Sequence, residues 1–296
     1  MELRVLKYFL AVAREGNISR AAETLYVTQP TLSRQIAQLE EELGARLFER
    51  GRKLTLTEAG SQLVRRAEEM AALEEKVHQE FAARKEVAGV ISFGCGGLNS
   101  FRELAGAMAG FRRLHPGVSY SIYANSAEYV KERLEQGLLD FGLIVEPTDV
   151  SKFDYVRMKS RERWGVLMNA SHPLAQKEHI ERGDLAGQTL SFSGRLSMQG
   201  ELAAWLGGDL SKLNVFATHN LSTNVSMLVE LGHVLSIGVE GAFDLYDKTK
   251  FAVRPLYPEL VATSVLVWKR FHGNSAPERF LEYFKKTQGE SPHPLR

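Results

Sequence analysis

The stretch from Thr28 to Leu43 combines hydrogen-bonding side chains with apolar ones at a helical spacing. The apolar residues fall within about 60° of one another at about 100° per residue, which predicts one buried stripe formed by Leu32, Ile36, Leu39 and Leu43. The opposite arc carries small or hydrogen-bonding residues, namely Pro30, Ser33, Arg34, Ala37 and Gln38. Such an arc at a helix N-terminus can approach base edges in the major groove of DNA, because no bulky or acidic group blocks it. Gln29, Ser33 and Arg34 supply suitable donors and acceptors.

Two shorter helices are predicted to position this one. Apolar residues recur at a helical spacing near the N-terminus, at Val5, Tyr8, Phe9, Val12 and Ala13. Gly16 can end this first helix in a left-handed cap. A second helix is predicted to begin near Ser19 as its N-cap and carries Ala21 and Ala22, a small pair that permits close packing. Thr28 can cap the third helix, and Pro30 falls in its first turn, where a missing N–H costs little.

The residues after Gly44 predict a β-hairpin wing. Short alternating segments flank Gly51, and Arg50, Arg52 and Lys53 fall at the tip, where they could meet phosphates or the minor groove. A charged hairpin tip is usually only a solvated turn, and periodicity alone leaves the structural and DNA-binding interpretations equally open. The net charge is only +1, and residues 1–58 carry nine Lys and Arg against eight Asp and Glu. Any DNA affinity must therefore come from local placement of basic residues, with the acidic run 40–42 turned away from phosphates.

This N-terminal part resembles the LysR-type transcriptional regulators, with matching motifs in the same order along the chain. The resemblance covers about sixty residues and rests on Phe9–Ala13, Ser19–Leu25, Val27–Ile36, Leu39–Arg50 and Leu56–Gly60. It implies a winged helix-turn-helix, with the helix-turn-helix at about residues 18–37. The DNA-binding residues that the resemblance implies are Gln29, Pro30, Thr31, Ser33 and Arg34 on the recognition helix, and Arg50, Arg52 and Lys53 on the wing. From their types and positions in this sequence, Arg20, Thr28 and Gln38 are further candidate DNA-binding residues. The wing is a residue or two shorter than is common in that family.

From Thr57 to about Lys85 the chain has no proline, which predicts a long helix of roughly 40 Å. Apolar residues recur along it at spacings of three and four, with one position interrupted by a glutamate, and form a seam of Leu63, Ala67, Met70, Val77 and Phe81. Packing on its own chain is one interpretation of this seam. We favour a dimerising helix, because so long a seam would otherwise stay exposed and helix-turn-helix dimers bind paired half-sites. Members of the resembled family use this helix for dimerisation and often form tetramers.

After residue 89 the patterns of strands and helices alternate. Strands are predicted at 90–94, 118–124, 139–145, 164–168, 189–192, 213–217, 234–238 and 263–269, and helices at 101–114, 126–136, 197–206, 222–231 and 276–286. This alternation predicts an α/β fold built on a parallel sheet with helices on its faces. Resemblance to the family's effector-binding domain, of the periplasmic-binding-protein type, implies two lobes joined by two crossing strands. The first lobe is 88–161 with 265–296, and the second is 162–264.

In such sheets a ligand lies beyond the carboxyl ends of the strands, where helix N-termini offer free N–H groups. The loops expected there contain the candidate effector-binding residues Gly97, Asn99, Ser100, Phe101, Arg102, Ser126, Ser193, Arg195, Ser222, Thr223 and Asn224. The Ser, Thr and Asn residues could equally be simple helix N-caps. Arg102 and Arg195 could supply charge for a carboxylate, and one of them could instead be a free surface residue.

No residue pattern points to catalysis, a metal or a cofactor. Cys95 has no second cysteine for a disulfide, and His172, His179, His219 and His233 lack a metal-binding spacing. The run from Gly94 to Gly97 is not a full dinucleotide-binding motif. An α/β enzyme with an autoregulatory DNA-binding domain is therefore the weaker alternative. A solute-binding protein of transport would share the two-lobed body, but it would need an export signal and no helix-turn-helix.

The expected architecture has three parts: a winged helix-turn-helix DNA-binding domain at 1–58, a linker and dimerisation helix at 59–87, and a two-lobed α/β effector-binding domain at 88–296. We see no secretion signal and no run of ~18 apolar residues. The protein is therefore expected in the cytoplasm, with no membrane contact. Its expected partners are a double-stranded, dyad-symmetric DNA operator, a small-molecule effector, and further copies of the chain as a dimer or tetramer.

Overall fold

The computed structural model describes residues 1–49, 54–82, 87–208, 210, 213–271 and 275–289. These residues belong to two compact units, Met1–Ala82 and Ala83–Arg296. The first unit is helical with a small hairpin. In the second, nine strands of the described part form one mixed sheet with helices on both faces.

The first unit contains α1 (Leu3–Glu15), α2 (Ile18–Thr24), α3 (Gln29–Leu43), β1 (Phe48–Glu49), β2 (Thr55–Leu56) and α4 (Glu58–Ala82). As predicted, α1 ends at Gly16 in the left-handed region, with φ 59°. The predicted N-cap of α2 is wrong. The cap is Asn17, whose side-chain oxygen accepts a hydrogen bond of 3.1 Å from the N–H of Arg20. Ser19 is instead inside the first turn, because the extended backbone of Asn17 places its amide at the open end of the helix.

The core of the first unit forms where α3 packs against α1 and α2. Leu32, Ile36 and Leu39 are buried there as predicted, together with Phe9 from α1. Leu43 was predicted in the same stripe, but its side chain is 41% exposed. It shares the angular position of the stripe and is the last residue of the helix, outside the packed cluster. Angular spacing does not report how far a core extends along a helix axis.

A small hairpin follows α3. β1 pairs with β2 in antiparallel register, Phe48 opposite Leu56. The tip, with Arg50, Arg52 and Lys53, lies outside the described residues. The carboxylate of Glu40 on α3 accepts hydrogen bonds from the N–H groups of Leu47, at 2.7 Å, and Phe48, at 3.2 Å. This carboxylate therefore holds the first strand of the hairpin against α3.

The second unit contains β3 (Gly89–Cys95), α5 (Phe101–Leu114), β4 (Val118–Ala124), α6 (Ala127–Glu135), β5 (Phe141–Val145), β6 (Asp154–Asn169), β7 (Thr189–Ser193), α7 (Leu196–Leu206), β8 (Asn214–His219), α8 (Ser222–Glu230), β9 (Leu235–Val239), β10 (Phe251–Pro255), β11 (Val261–Trp268) and α9 (Ala276–Gln288). The sheet order is β4-β3-β5-β11-β6-β9-β7-β8, and β10 pairs with β6. Strands β3, β4 and β5 lie at one end, and β7, β8 and β9 lie at the other.

The strands β6 and β11 run between these two ends of the sheet. Pairing is parallel within each end, but β11 and β6 are antiparallel to each other and to their neighbours β5 and β9. The expectation of a parallel sheet is therefore wrong for the strands at the centre. The prediction also missed β10 and the first half of β6. Basic residues alternate along this part of β6 at Arg157, Lys159, Arg161 and Arg163, which is typical of a strand with one face exposed to solvent. Such a strand contains no continuous hydrophobic run, so a search for hydrophobic runs does not find it.

Candidate functional site

The first candidate site is the exposed arc of α3. Thr28 caps the helix, and its hydroxyl lies 2.8 Å from the hydroxyl of Thr31. The predicted DNA-binding residues of the two helices lie at the surface, with only Ser33 half-buried, and they comprise Arg20, Thr28, Gln29, Pro30, Thr31, Ser33, Arg34 and Gln38. The amide of Gln35 donates to the side-chain oxygen of Gln38 at 3.2 Å. The arc thus presents hydrogen-bonding groups to solvent over its first turns.

The acidic residues at the C-terminal end of α3 have partners within the first unit. Glu40 accepts the two N–H groups of the hairpin, and Glu42 forms an ion pair with the N-terminal amine of Met1. Both carboxylates are thereby held by intramolecular contacts, one helical turn or more beyond Arg34. The N-terminal half of the arc carries no acidic side chain.

The second candidate surface is the predicted seam of α4. Ala67 is fully buried in the core of its own unit, and Leu63 packs against the same cluster. Ala67 is therefore not available to a second chain, because α1 covers that part of the helix. The exposed apolar residues lie further along, at Met70, Leu73 and Val77. The side chain of Phe81 lies outside the described residues.

Leu73 was missed by the sequence analysis, although it is spaced by three from Met70 and by four from Val77. The heptad assignment placed Glu74 in the seam instead. In the structure Glu74 forms an ion pair with Lys7 on α1. The exposed apolar strip therefore continues through Leu73, and Glu74 faces the neighbouring helix.

The third candidate site lies where the strand ends of the second unit meet. The loop after β3 packs on the turn after β9, and a Cβ at Gly97 would lie 2.9 Å from the Cα of Ala242. The guanidinium of Arg102 pairs with Asp244 at 3.1 Å. Loops from the two ends of the sheet are thus in direct contact around the candidate effector residues.

The N-terminus of α5 is already occupied by a carboxylate of the chain. The fully buried Glu162 accepts hydrogen bonds of 3.0 Å from the N–H groups of both Asn99 and Ser100. The two N–H groups that the sequence analysis offered to a ligand therefore have an internal anionic partner. The hydroxyl of Ser100 is also buried, and it has no hydrogen-bond partner among the described residues. Phe101 is half-buried and packs against the core beneath α5.

Arg195 spans the two ends of the sheet from the loop after β7. Its guanidinium donates to the carbonyl oxygens of Val145, at 2.7 Å, and Pro147. Its Nε lies 3.6 Å from the carboxylate of Glu128 on α6. Burial lowers the pKa of Arg195, and the charge of Glu128 opposes this shift. The alternative that Arg195 is a free surface residue is therefore wrong. Arg102, in contrast, is exposed and forms its ion pair with Asp244.

The remaining predicted residues act mostly within their own helix ends. Ser126 is the N-cap of α6, and the hydroxyl of Ser193 accepts from the N–H of Arg195 at 3.3 Å. The hydroxyl of Ser222 lies 3.1 Å from that of Tyr246, and the carbonyl of Thr223 accepts from Ser226. Asn224 is exposed on α8. The N-cap interpretation thus describes Ser126, while Arg195 and the loop after β3 form the contacts between the sheet ends.

Glu162, the most buried acidic group of this site, was not predicted from the sequence. Its only signal is a single acidic residue between Arg161 and Arg163 in an otherwise basic stretch. Its partners Asn99 and Ser100 precede it by more than sixty residues. Spacing along the chain carries no information on contacts of this kind.

Neither Cys95 nor His219 shows reactive surroundings. Burial raises the pKa of the Cys95 thiol to about 11, which keeps it protonated at neutral pH. Burial lowers the pKa of His219, whose Nδ1 lies 3.0 Å from the hydroxyl of Ser191.

Within the described ranges, no group of three His, Cys, Asp or Glu side chains could hold a metal ion. No helix in the described part of the chain has the length and apolar character needed to cross a membrane.

Together these features define a class of protein: a winged helix-turn-helix unit with a long helix, followed by an α/β binding domain with facing loops. Comparison with known families agrees. The model described as "Bacterial regulatory helix-turn-helix protein, lysR family" matches residues 3–61, and the "LysR substrate binding domain" matches residues 84–289. The chain belongs to the LysR family and is a DNA-binding transcriptional regulator with an effector-binding domain.

Individual relatives give the same picture. The chain is 29% identical to the Hca operon transcriptional activator HcaR of Escherichia coli over 282 residues, which cover 91% of this chain and 92% of HcaR. It is 36% identical to the regulator BenM of Acinetobacter baylyi over 182 residues, covering 60% and 58% of the two chains. The crystal structure of the LysR family regulator CbnR superposes with a TM-score of 0.77 at 22% identity, covering 97% of this chain and 99% of CbnR. This last likeness concerns the fold.

Proposed function

We propose that the chain binds a dyad-symmetric operator as a dimer or tetramer, with α3 in the major groove of each half-site. The observation that carries this proposal is the arc of α3, where Gln29, Thr31 and Arg34 are exposed opposite a buried apolar stripe. Donors and acceptors at the N-terminus of a recognition helix are suited to base edges. A relative in fold, CbnR, has been crystallised with its target DNA, which supports the same arrangement.

The DNA contact is tested with Arg34→Ala and a matched variant, Arg14→Ala, which removes an exposed arginine from the last turn of α1. On a DNA duplex that the wild-type protein has selected from a random-sequence pool, Arg34→Ala should weaken binding by about 1–3 kcal/mol per half-site and relax the preference at one base position of each half-site. Arg14→Ala should keep the sequence preference. Electrophoretic mobility shift at several salt concentrations measures both. Equal affinity and equal preference of Arg34→Ala and the wild type would contradict the assignment.

We propose that dimers form through the exposed strip of Met70, Leu73 and Val77 on α4. Each of these side chains is more than two-fifths exposed in the single chain, and paired half-sites require paired recognition helices. Leu73→Glu should shift the chain toward the monomer in light scattering coupled to size-exclusion chromatography. Arg65→Glu, an exposed change on the same helix, is the control and should keep the oligomer. A dimer of unchanged affinity in Leu73→Glu would exclude this strip.

We also propose that a small-molecule effector binds between two lobes, 88–161 with 265–296 and 162–264, and alters how the oligomer sits on its operator. The support is the contact of loops around Arg195, whose side chain is only 14% exposed. A second support is the buried hydroxyl of Ser100, which has no hydrogen-bond partner among the described residues. A ligand that replaces contacts between the loops binds more tightly to the chain with these contacts open than to the chain with them closed. Regulation requires such a difference in affinity between two conformations.

A thermal-shift screen of metabolites on the full chain tests the effector site. A ligand at 100 times its dissociation constant should stabilise the protein by about 2.7 kcal/mol. The shift should be reduced in Arg195→Gln and retained in Arg279→Gln, which changes an exposed arginine on α9. A ligand whose shift is the same in both variants binds elsewhere.

We propose further that the chain has no enzymatic activity and acts in the cytoplasm, where its DNA target lies. The regulators HcaR and BenM among its relatives support this role. The measurement is incubation of the stabilising metabolite with excess protein and analysis by mass spectrometry. Conversion that depends on residues of the lobes would favour the alternative, an α/β enzyme with an autoregulatory DNA-binding domain.

A further inference from the structure

Tyr26 adopts an unusual state in the turn between α2 and α3. Its side chain is 97% exposed, more than any other large apolar residue in the described ranges. Its φ is 55°, and no other non-glycine residue of the described part has a positive φ. This backbone region is unfavourable for a bulky side chain, whereas Gly and Asn adopt it more readily. Neither core packing nor the turn geometry therefore explains a tyrosine at this position.

The position of Tyr26 relative to α3 suggests what the side chain does. Two residues separate it from Gln29, and Thr28 between them is the N-cap of the helix. In helix-turn-helix proteins the recognition helix enters the major groove by its N-terminal residues, while the preceding helix crosses the DNA backbone. The turn that joins the two helices therefore lies at the edge of the groove, beside the phosphates. Arg20 on α2 and Thr28 are exposed on either side of this turn in sequence.

We propose that Tyr26 is a DNA-backbone contact, whose phenol O–H donates a hydrogen bond to a phosphate oxygen flanking the half-site. Tyrosine is one of the side chains that bind phosphate oxygens in protein–DNA complexes. It does so without adding charge, which suits a domain whose basic and acidic residues nearly balance. Bases within a duplex are stacked on one another, so the ring has no free base face to stack on. The contact positions α3 on the DNA and does not discriminate between base sequences.

The test uses the full chain and a duplex that the wild-type protein has selected from a random-sequence pool. Tyr26→Phe removes only the hydroxyl and should weaken binding about tenfold per half-site, the value of one hydrogen bond to a charged acceptor, and so about a hundredfold for a dimer on two half-sites. Because phosphates are the same in every sequence, a scrambled duplex should lose affinity by the same factor. Tyr26→Asn should lose affinity equally, with an unchanged or higher melting temperature. Tyr257→Phe, an exposed tyrosine of the second unit, is the control and should bind as wild type.

Neutral methylphosphonate groups, placed singly along the selected duplex, locate the contact. At one phosphate per half-site the substitution should weaken the wild type and leave Tyr26→Phe no weaker than it already is, because both changes remove the same bond. Wild-type affinity in Tyr26→Phe would overturn the proposal. So would a loss confined to one sequence, a lowered melting temperature in both variants, or additive losses at every phosphate.

This inference rests on the proposed docking of α3 in the major groove, and Arg34→Ala on the same duplex reports on that docking separately. If Arg34→Ala keeps affinity and sequence preference, the docking itself fails. If Arg34→Ala loses both while Tyr26→Phe binds as wild type, only the Tyr26 contact is wrong.

Discussion

The guanidinium of Arg195 donates a hydrogen bond to the carbonyl oxygen of Val145, with 2.7 Å between the two atoms. Arg195 follows β7 and Val145 ends β5, so one side chain joins loops from opposite ends of the sheet. The carbonyl of Pro147 and the carboxylate of Glu128 complete its surroundings. These partners compensate the desolvation of the cation and make Arg195 a bridge between the two ends of the sheet.

Removal of this bridge should loosen the contact between the two ends of the sheet. Arg195→Met keeps much of the side-chain volume and leaves the two carbonyls without their charged donor, which should lower the free energy of unfolding by about 1–3 kcal/mol. Urea unfolding measures this change, and amide hydrogen exchange near 145–147 should become faster. Arg279→Met, an exposed change on α9, serves as the control. Equal loss in the two variants would mean that the bridge contributes nothing specific.

The carboxylate of Glu40 should be required to order the hairpin. It accepts the N–H groups of Leu47 and Phe48, so Glu40→Ala leaves two backbone donors without that partner. We expect faster amide exchange at these two residues and a loss of about 1–2 kcal/mol in unfolding free energy. Glu41→Ala removes the same charge from the adjacent, exposed position and should change neither. Equally accelerated amide exchange in Glu40→Ala and Glu41→Ala would show that the negative charge, and not the two hydrogen bonds, orders the hairpin.

Two glycines, Gly241 in the turn after β9 and Gly106 within α5, should respond in opposite directions to alanine. A Cβ at Gly241 would lie 2.3 Å from the backbone nitrogen of Asn99, whereas a Cβ at Gly106 meets nothing within 4 Å. Gly241→Ala must push the turn after β9 away from the N-terminus of α5 and should cost about 1–3 kcal/mol. Gly106→Ala lies in an exposed helix interior and should stabilise by about 0.5–1 kcal/mol. Thermal unfolding of both variants measures the contrast, and a stabilised Gly241→Ala would disprove the close approach.

His219 should make stability depend on pH. Burial lowers its pKa in the folded chain, so between that value and about 6.5 the unfolded chain binds a proton that the folded chain does not. Stability is therefore retained above about pH 6.5 and lost as the pH falls toward the folded pKa. His219→Asn should flatten the slope of unfolding free energy between pH 7 and 5 relative to the wild type. Identical slopes in His219→Asn and the wild type would refute the effect.

The local elements of this protein follow from the sequence because their causes are local. Gly16 ends α1, Thr28 caps α3, and the apolar spacing of Leu32, Ile36 and Leu39 defines the buried side of the recognition helix. Each of these features depends on residues within a few positions of one another. The resemblance to the LysR family can also be read from the sequence alone, because the matching motifs follow one another within the first sixty residues.

The contacts between the two ends of the sheet depend on the tertiary structure. Glu162 meets Asn99 and Ser100 across more than sixty residues, and Arg195 meets Val145 across fifty. The antiparallel direction of β6 and β11 likewise depends on which strands become neighbours, and no local pattern encodes that choice. The exposure of Leu43 and the burial of Ala67 have a similar origin, because helical spacing sets the side of a helix while its neighbours set how far along it the core extends.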